Sequence, residues 1–105
     1  MQICDSADPS HGTGAIYSLA RTKPSPPEPG VWRTMIITLD GENVAVELDG
    51  EKVTSFDSSA TDLPERQIWY EPQRNHKRPQ SGYIGLQTHD PGDVVDFKEV
   101  SVQKL

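Results

Sequence analysis

The sequence has few cysteines, few basic residues and no long hydrophobic run, and each shortage excludes a class of protein. Cys4 is the single cysteine, so no disulfide within the chain can support the fold. Acidic residues outnumber basic ones by 16 to 10, which argues against nucleic acid or an anionic membrane as the partner. No apolar run approaches the roughly 20 residues of a membrane span, and no signal peptide is recognised.

Helical periodicity is also missing, because no segment repeats apolar residues at positions i, i+3, i+4 and i+7. The 105 residues include 8 glycines and 9 prolines, and 33% are hydrophobic, which is typical of one loop-rich all-β domain. We therefore expect an antiparallel β-sandwich. Its predicted strands are near residues 2–5, 14–20, 31–39, 43–48, 52–56, 82–89 and 94–104.

The clearest pattern is in the middle of the chain, where the motif Leu-Asp-Gly-Glu-x-Val occurs at 39–44 and again at 48–53. Asp-Gly between alternating apolar runs is a strong hairpin signal, because both residues tolerate a positive φ. Two hairpins in series predict a three-stranded meander. In its central strand Val44, Val46 and Leu48 should face the core, with Ala45 and Glu47 facing away.

Residues 57–81 show neither the helical nor the strand period, and so long an irregular segment is typically functional, disordered or capped by a short helical turn. Its basic cluster at 74–78 is interpreted either as a substrate-facing patch or as a solvated loop. Trp69 and Tyr70 form an aromatic pair suited to a lid over a sugar. His76 in this segment and His11 in the turn at 6–14 are expected to be solvated.

The segment 82–90, Gly-Tyr-Ile-Gly-Leu-Gln-Thr-His-Asp, alternates in an unusual way. One side of the predicted strand is apolar, whereas the other carries Tyr83, Gly85, Gln87 and His89. A solvated sheet face would explain such polar alternation. Glycine inside a strand, however, lowers stability unless something approaches closely, which favours a face that meets a ligand.

The last predicted strand, 94–104, places its apolar side chains on one face only if it contains one extra residue. Val95 and Phe97 share a face, but Val100 and Val102 lie on the other face by strict alternation. One extra residue at Lys98-Glu99, a β-bulge, would bring all four side chains to the same side.

These segments together resemble the 3-keto-disaccharide hydrolase domain family, whose fold is a concanavalin-like jelly roll. Its closing pattern is Gly-x-Ile-x-Leu-Gln-x-His, then a turn, then Val-x-Phe. Residues 82–89 match the first part, Val95 and Phe97 match the second, and the match continues to Leu105. Residues 2–5 are similar to its Gln-Ile-x-Asp strand, and residues 14–17 to its Gly-Ala-x-Tyr. Arg33 and Lys98-Glu99 depart from the family pattern. The family domain has further strands at its N-terminus, so the resemblance implies that this chain is the C-terminal portion of a longer domain.

The resemblance implies cleavage of glycosides oxidised at carbon 3, by proton abstraction and elimination followed by hydration. Such chemistry needs a base, a stabiliser for the enolate oxygen and a surface for the ring. His89 is the candidate base or acid. The other catalytic candidates are Gln87, as a hydrogen-bond partner for sugar hydroxyls, and Asp5, which would either orient His89 or help hold a metal. The candidate substrate-binding residues are Gln2, Tyr17, Trp32, Trp69 and Tyr83, of which Tyr17 and Trp32 are also interpreted as core residues.

The alternative hypothesis is a non-catalytic carbohydrate-binding or interaction module, because a fold does not fix its function. No cofactor is evident, although a divalent metal on the enolate is compatible with the chemistry and no ligand spacing identifies one. The expected partner is a carbohydrate or glycoside, together with self-association through exposed sheet edges. The resemblance favours a periplasmic or secreted location.

Overall fold

The computed structural model describes residues 1–24, 28–74, 79 and 81–105. Its regular structure is one antiparallel sheet in the order β1-β2-β3, formed by β1 (Met35–Asp40), β2 (Asn43–Leu48) and β3 (Glu51–Asp57). No helix occurs in the described residues, so the predicted all-β class is confirmed. A sandwich needs a second sheet, and the jelly roll therefore stays a prediction. The described residues contain no helix long and apolar enough to cross a membrane.

The turn between β2 and β3 has the geometry that the sequence predicts. Leu48 pairs with Glu51, which leaves Asp49 and Gly50 as a two-residue loop. Their φ angles are 51° and 84°. Positive φ at both central residues is the signature of a type I′ turn, whose twist matches that of the flanking strands.

The turn between β1 and β2 lies one residue later than predicted. Asp40 pairs with Asn43, so the loop consists of Gly41 and Glu42 rather than Asp40 and Gly41. Gly41 has a φ of 58°, whereas Glu42 is not among the residues with positive φ. Glycine at the first central position is typical of a type II′ turn, the other favoured two-residue hairpin loop. Asp40 therefore ends β1.

The core lies on one face of the meander. Val46 is fully buried, Leu48 is 2% exposed, and both pack with Val53 while Met35 lies against the cluster. The predicted inward face of β2 is thus confirmed at Val46 and Leu48, and Val44 is half-buried. At about 1.5–3 kcal/mol for each fully buried aliphatic side chain, this cluster is a main source of stability for the sheet.

A β-bulge lets β3 bury two consecutive residues. The register between β2 and β3 shifts between Val46 and Glu47, and Val53 and Thr54 are both buried. The Thr54 hydroxyl donates a hydrogen bond of 2.9 Å to the carbonyl oxygen of Gly14. A polar side chain can therefore lie in this core because its hydroxyl has a partner.

The N-terminal segment, residues 1–24, covers the buried face near β3. The backbone N–H of Lys23 donates to the carbonyl of Val53 at 2.9 Å, and Ala15 is fully buried. Gly14 has a φ of 92°, and a Cβ atom at this position would lie 3.0 Å from Cγ2 of Val53. The Gly-Ala of the Gly-Ala-x-Tyr motif thus permits close packing of the segment on the sheet.

The strands predicted at 2–5 and 14–20 are not formed. Gln2 donates its N–H to Ala15 and accepts from Gly14, at 2.9 and 3.0 Å. At Cys4, however, the Thr13 hydroxyl bonds both the N–H and the carbonyl, so a side chain takes the place of a backbone partner. This substitution ends the ladder after one residue.

The strand predicted at 31–39 begins late, at Met35. The reason is local, because the N–H of Thr34 donates to Oδ1 of Asp49 at 2.8 Å and Arg33 donates to Oδ2 of the same carboxylate at 2.7 Å. Trp32 lies outside the strand and is exposed, so its interpretation as a core residue is wrong.

The segments 82–89 and 94–104 are not strands in the structure, contrary to prediction. Nearly all of their side chains are exposed, and the described chain offers them no adjacent strand. An extended segment needs such a neighbour for its N–H and C=O groups before it becomes part of a sheet. Glu99, at the predicted bulge, has a φ of 55°, the left-handed conformation found in the first residue of one bulge type.

The described residues after β3, 58–74, 79 and 81, are irregular, as the lack of a period at 57–81 indicates, with turns in place of strands. Four of the five residues of the predicted basic cluster, 75–78, lie outside the described residues, and His76 is among them. The fifth, Arg74, is held by hydrogen bonds to neighbouring groups.

Candidate functional site

The residues predicted to face a ligand at 83–89 are on the surface of the protein. Tyr83 is fully exposed, and Ile84 and Leu86 on the other predicted face are exposed as well. No described atom lies within 4 Å of a Cβ placed on Gly85. The close approach that would require glycine is therefore not made by the described protein, and the space beside Gly85 is open.

His89 forms a pair with its neighbour in the sequence. Its Nδ1 lies 3.0 Å from Oδ2 of Asp90, and the two side chains are 79% and 70% exposed. The hydrogen bond to Asp90, followed by the negative charges of Asp90 and Asp93, raises the pKa of His89 above its ordinary 6.5. Asp90 is thus the carboxylate that orients this imidazole in the described structure.

A tight turn places a second carboxylate beside the pair. The N–H of Asp90 donates to Oδ2 of Asp93 at 3.0 Å, and the N–H of Asp93 returns to the carbonyl of Asp90 at 3.0 Å. His89, Asp90 and Asp93 each offer one ligand atom, all within 4.8 Å of one another. Imidazole and carboxylate donors suit a divalent metal, and these three residues are where this turn could hold one.

The remaining catalytic and binding candidates near the N-terminus lie apart from His89 in the contacts of the described chain. Gln2 is fixed through its backbone against Ala15, and Asp5 is exposed. Tyr17 is half-buried, and its ring centre lies 5.3 Å from that of His11. The pKa of the Tyr17 phenol is raised above 10.0, mainly by desolvation and further by the negative charges of Tyr70 and Glu71.

The predicted aromatic platforms are exposed. Trp69 is 84% exposed, and the Tyr70 ring contacts it edge-on at 5.6 Å between ring centres. Trp32 is partly covered by Lys98, whose ammonium lies 4.5 Å from the ring centre in a cation–π contact. These rings do not line a common pocket with His89 in the described structure.

A cleft of about 250 Å³ lies between three segments that are distant in the sequence. Its walls come from residues 8–11, 18–21 and 64–71, and we call it the His11 cleft. Eight of the eleven lining residues are polar or charged, and Leu19, Ala20 and Pro64 are apolar. The cleft joins the N-terminal segment to the long irregular segment.

One wall of the His11 cleft carries a carboxylate–imidazole pair. Nδ1 of His11 lies 2.5 Å from Oδ2 of Asp8, and the His11 side chain is 39% exposed. The N–H of Ser10 donates to Oδ1 of Asp8 at 3.0 Å, an Asx turn around Pro9. This N–H and then the His11 hydrogen bond lower the pKa of Asp8 below its ordinary value of 3.8. The carboxylate therefore holds the imidazole in one orientation.

Another wall of the cleft contains Glu71, which forms an ion pair with the half-buried Arg74 outside the lining. Glu71, with a side chain only 3% exposed, lies 3.0 Å from Nη2 of Arg74. The same Nη2 donates to Oγ of Ser18 at 3.0 Å, and Gln67 donates its N–H to the Glu71 carboxylate at 2.9 Å. The pKa of Glu71 is lowered below 4.5, mainly by the hydrogen bond from the Gln67 N–H and further by Ser18 and Arg74. These bonds attach the irregular segment to the N-terminal one.

Sequence reasoning placed His11 in a solvated turn and so missed this cleft. The local signal was Asp8-Pro-Ser-His11, in which a turn places an aspartate and a histidine three residues apart. No local pattern connects that turn with residues 64–71, because the enclosing contacts depend on Arg74 and Ser18, which are 56 residues apart.

The comparisons with known proteins agree with the resemblance that the motifs suggested. The family described as 3-keto-alpha-glucoside-1,2-lyase-like domain matches residues 1–103. Searches of curated proteins and of solved structures gave no match. The family match covers nearly all of the 105 residues, including the Gly-Ala-x-Tyr segment and the Gln87–His89 segment. The chain belongs to the 3-keto-alpha-glucoside-1,2-lyase-like domain family.

Proposed function

We propose that this chain takes part in cleaving glycosides that carry a ketone at carbon 3 of the sugar. The observation that carries the proposal is the family match over residues 1–103. The ketone acidifies the proton on carbon 2, and a base removes it to give an enolate. The enolate electrons then form a double bond between carbons 1 and 2 as the aglycone leaves with the electrons of its bond to carbon 1. The aglycone takes up a proton, and addition of water to carbon 1 completes a net hydrolysis.

In this proposal His89 takes the proton from carbon 2. Asp90 holds Nδ1, which leaves Nε2 to face the substrate. A histidine with a raised pKa is a stronger base, and its neutral fraction grows as the pH rises. Gln87 hydrogen-bonds the sugar hydroxyls, and the open space beside Gly85 admits the ring.

The proposed reaction requires water to be excluded from the 83–89 segment, which is exposed in the described structure. Electrostatic catalysis is effective where water is excluded, and His89 is 79% exposed. The proposal therefore includes a jelly roll of two sheets, with the chain as the C-terminal part of a longer domain. In that arrangement 82–89 and 94–104 become paired strands and the second sheet covers the face.

Release of a chromogenic phenol from a 3-keto-glucoside, measured with the longer two-sheet domain that the proposal includes, tests the reaction. His89→Ala should abolish release, and Gln87→Ala should weaken it by about 0.5–1.5 kcal/mol, the net worth of a neutral hydrogen bond. Asp96→Asn, on an exposed carboxylate outside the proposed site, is the matched control and should react as the parent does. Normal turnover by His89→Ala would contradict the proposed role of His89.

The exposed aromatic pair favours a second candidate, a non-catalytic carbohydrate-binding module. Trp69 presents most of its ring to solvent while Tyr70 supports its orientation. Aromatic rings stack on the C–H faces of sugars, and Tyr or Trp anchors dominate many binding surfaces. Sugar binding that is lost in Trp69→Ala, without release of the phenol by any variant, would favour this candidate over the enzyme.

A further inference from the structure

We propose that the His11 cleft is a binding site for a single sugar ring, with the Asp8–His11 pair as its anchor. None of the residues proposed for chemistry at 83–89 lines this cleft. The inference therefore goes beyond the proposed reaction and assigns a separate carbohydrate site to the cleft between residues 8–21 and 64–71.

The size and shape of the cleft limit the ligand. A volume of about 250 Å³ is below the usual range for drug-sized ligands, which begins at roughly 300 Å³. One six-membered ring with its hydroxyl groups is of the right scale, whereas both rings of a disaccharide would not be enclosed. A second ring would extend into solvent past the exposed side of His11.

The anchor is held rigidly and still has a free position. Nδ1 of His11 is occupied by Asp8, and the ring packs against Tyr17 at 5.3 Å with a tilt of 58°. Its Nε2 makes no hydrogen bond to the described residues and is the atom left for a ligand hydroxyl. A side chain whose rotamer is already fixed loses little entropy on binding, which favours affinity.

The charges of the lining favour a neutral polyol over an ion. Asp8, Glu65 and Glu71 would repel an anion such as phosphate, while Arg21 disfavours an organic cation. Arg74, outside the lining, pairs with Glu71. Sugar hydroxyls both donate and accept hydrogen bonds, so they can satisfy acceptors and donors in the same cleft.

The apolar part of the lining supports the same ligand class. Leu19, Ala20 and Pro64 give the cleft an apolar surface beside its polar groups. A sugar ring has C–H faces between its hydroxyl groups and suits such a mixed lining. Sites for small ligands commonly combine apolar walls with a few fixed polar groups.

An NMR titration of the full chain tests the inference. Methyl glucoside is the probe, and amide shifts are expected at His11, Ser18 and Arg21, with little change in β1–β3. Asp8→Asn and His11→Ala should each weaken binding about fivefold to tenfold, because each removes a charge-assisted or anchoring hydrogen bond. Asp96→Asn, an exposed carboxylate away from the cleft, is the matched control and should bind as the parent does.

Several outcomes would overturn the inference. Shifts confined to residues 82–89, or no shifts at any soluble concentration of the sugar, would show that the cleft does not bind it. Shifts at His11 with inorganic phosphate or methylguanidinium but not with methyl glucoside would assign the cleft to an ion. The map of the unsubstituted chain decides the matter even where a variant fails to fold. Because the readout is binding at His11 and not phenol release, this inference and the proposed reaction can fail independently.

Discussion

Gly14→Ala should destabilise the chain strongly, because two separate costs meet at this position. Its φ of 92° is a conformation that L side chains rarely adopt, and holding alanine there costs about 1–2 kcal/mol. The added Cβ would lie 3.0 Å from Cγ2 of Val53, 3.2 Å from Oγ1 of Thr22 and 3.4 Å from Cδ1 of Leu48. Overpacking of this kind typically adds about 1–3 kcal/mol. A total of about 2–5 kcal/mol is a large fraction of the roughly 5–15 kcal/mol by which ordinary domains are stable.

Urea unfolding followed by circular dichroism measures this change in the free energy of unfolding. Gly30→Ala is the matched control, because Gly30 has a φ of 81° but no described atom lies within 4 Å of the place its Cβ would take. Gly30→Ala should lower the free energy of unfolding only by the conformational cost of about 1–2 kcal/mol. If Gly14→Ala and Gly30→Ala lose the same free energy, the packing of the N-terminal segment against Val53 would be refuted.

Three further predictions concern charge and exposed surface. Asp90→Asn should lower the pKa of His89 toward 6.5 in an NMR titration of the imidazole, and an unchanged midpoint would contradict the Asp90 hydrogen bond. Since the folded pKa of His89 is raised, its contribution to stability is complete below the unfolded pKa and is lost as the pH rises through the folded pKa. The pKa of Glu71 is lowered, so its contribution is present above 4.5 and is lost as the pH falls through the folded pKa; Glu71→Gln should remove this acid dependence from the urea midpoints. Ile36 and Ile37 expose apolar surface on opposite faces of β1, so sedimentation should detect self-association that Ile36→Lys reduces, and a strictly monomeric parent would contradict it.

The meander could be predicted from the sequence because its determinants are local. A type I′ loop at Asp49-Gly50 fixes the register of β2 and β3, and the period of two then places Val46 and Leu48 on the buried face. The one error, a shift of the first turn to Gly41-Glu42, arose because type II′ turns also begin with glycine, so Asp40-Gly41 did not determine the turn type.

The other predicted strands failed for a non-local reason. Alternation at 82–89 describes a strand that would fit a sheet, but only a neighbouring strand can supply the hydrogen bonds. At residues 2–5 the competing group was Thr13, whose hydroxyl takes both backbone positions of Cys4. Side-chain competition of this kind is not visible in the hydrophobic pattern.

The irregular segment 57–81 was the least predictable part of the chain. It is held by the buried Glu71–Arg74 pair, which Ser18 joins from the N-terminal segment. Nothing in the spacing of these residues indicates the contact. A charged residue buried beside its partner requires a fixed environment, so this network fixes the wall of the His11 cleft even though residues 58–74 have no regular structure.

Two histidine–aspartate pairs in one small chain have the same local origin and different surroundings. Both form at Asp-Pro turns, where the backbone fixes a carboxylate next to an imidazole: Asp8 beside His11, and Asp90 beside His89. The turn therefore explains why aspartate and histidine pair in each case, but it does not determine whether the pair is enclosed by other residues. The His89 side chain is 79% exposed, whereas that of His11 is 39% exposed and lines a cleft closed by a third segment. A site that binds a neutral sugar needs walls, and these are present at His11. A site that abstracts a proton from carbon needs water excluded, which His89 can gain only if further structure covers it. We therefore expect the described chain to bind the sugar at the His11 cleft, and we expect the proposed catalysis at His89 to require a second sheet.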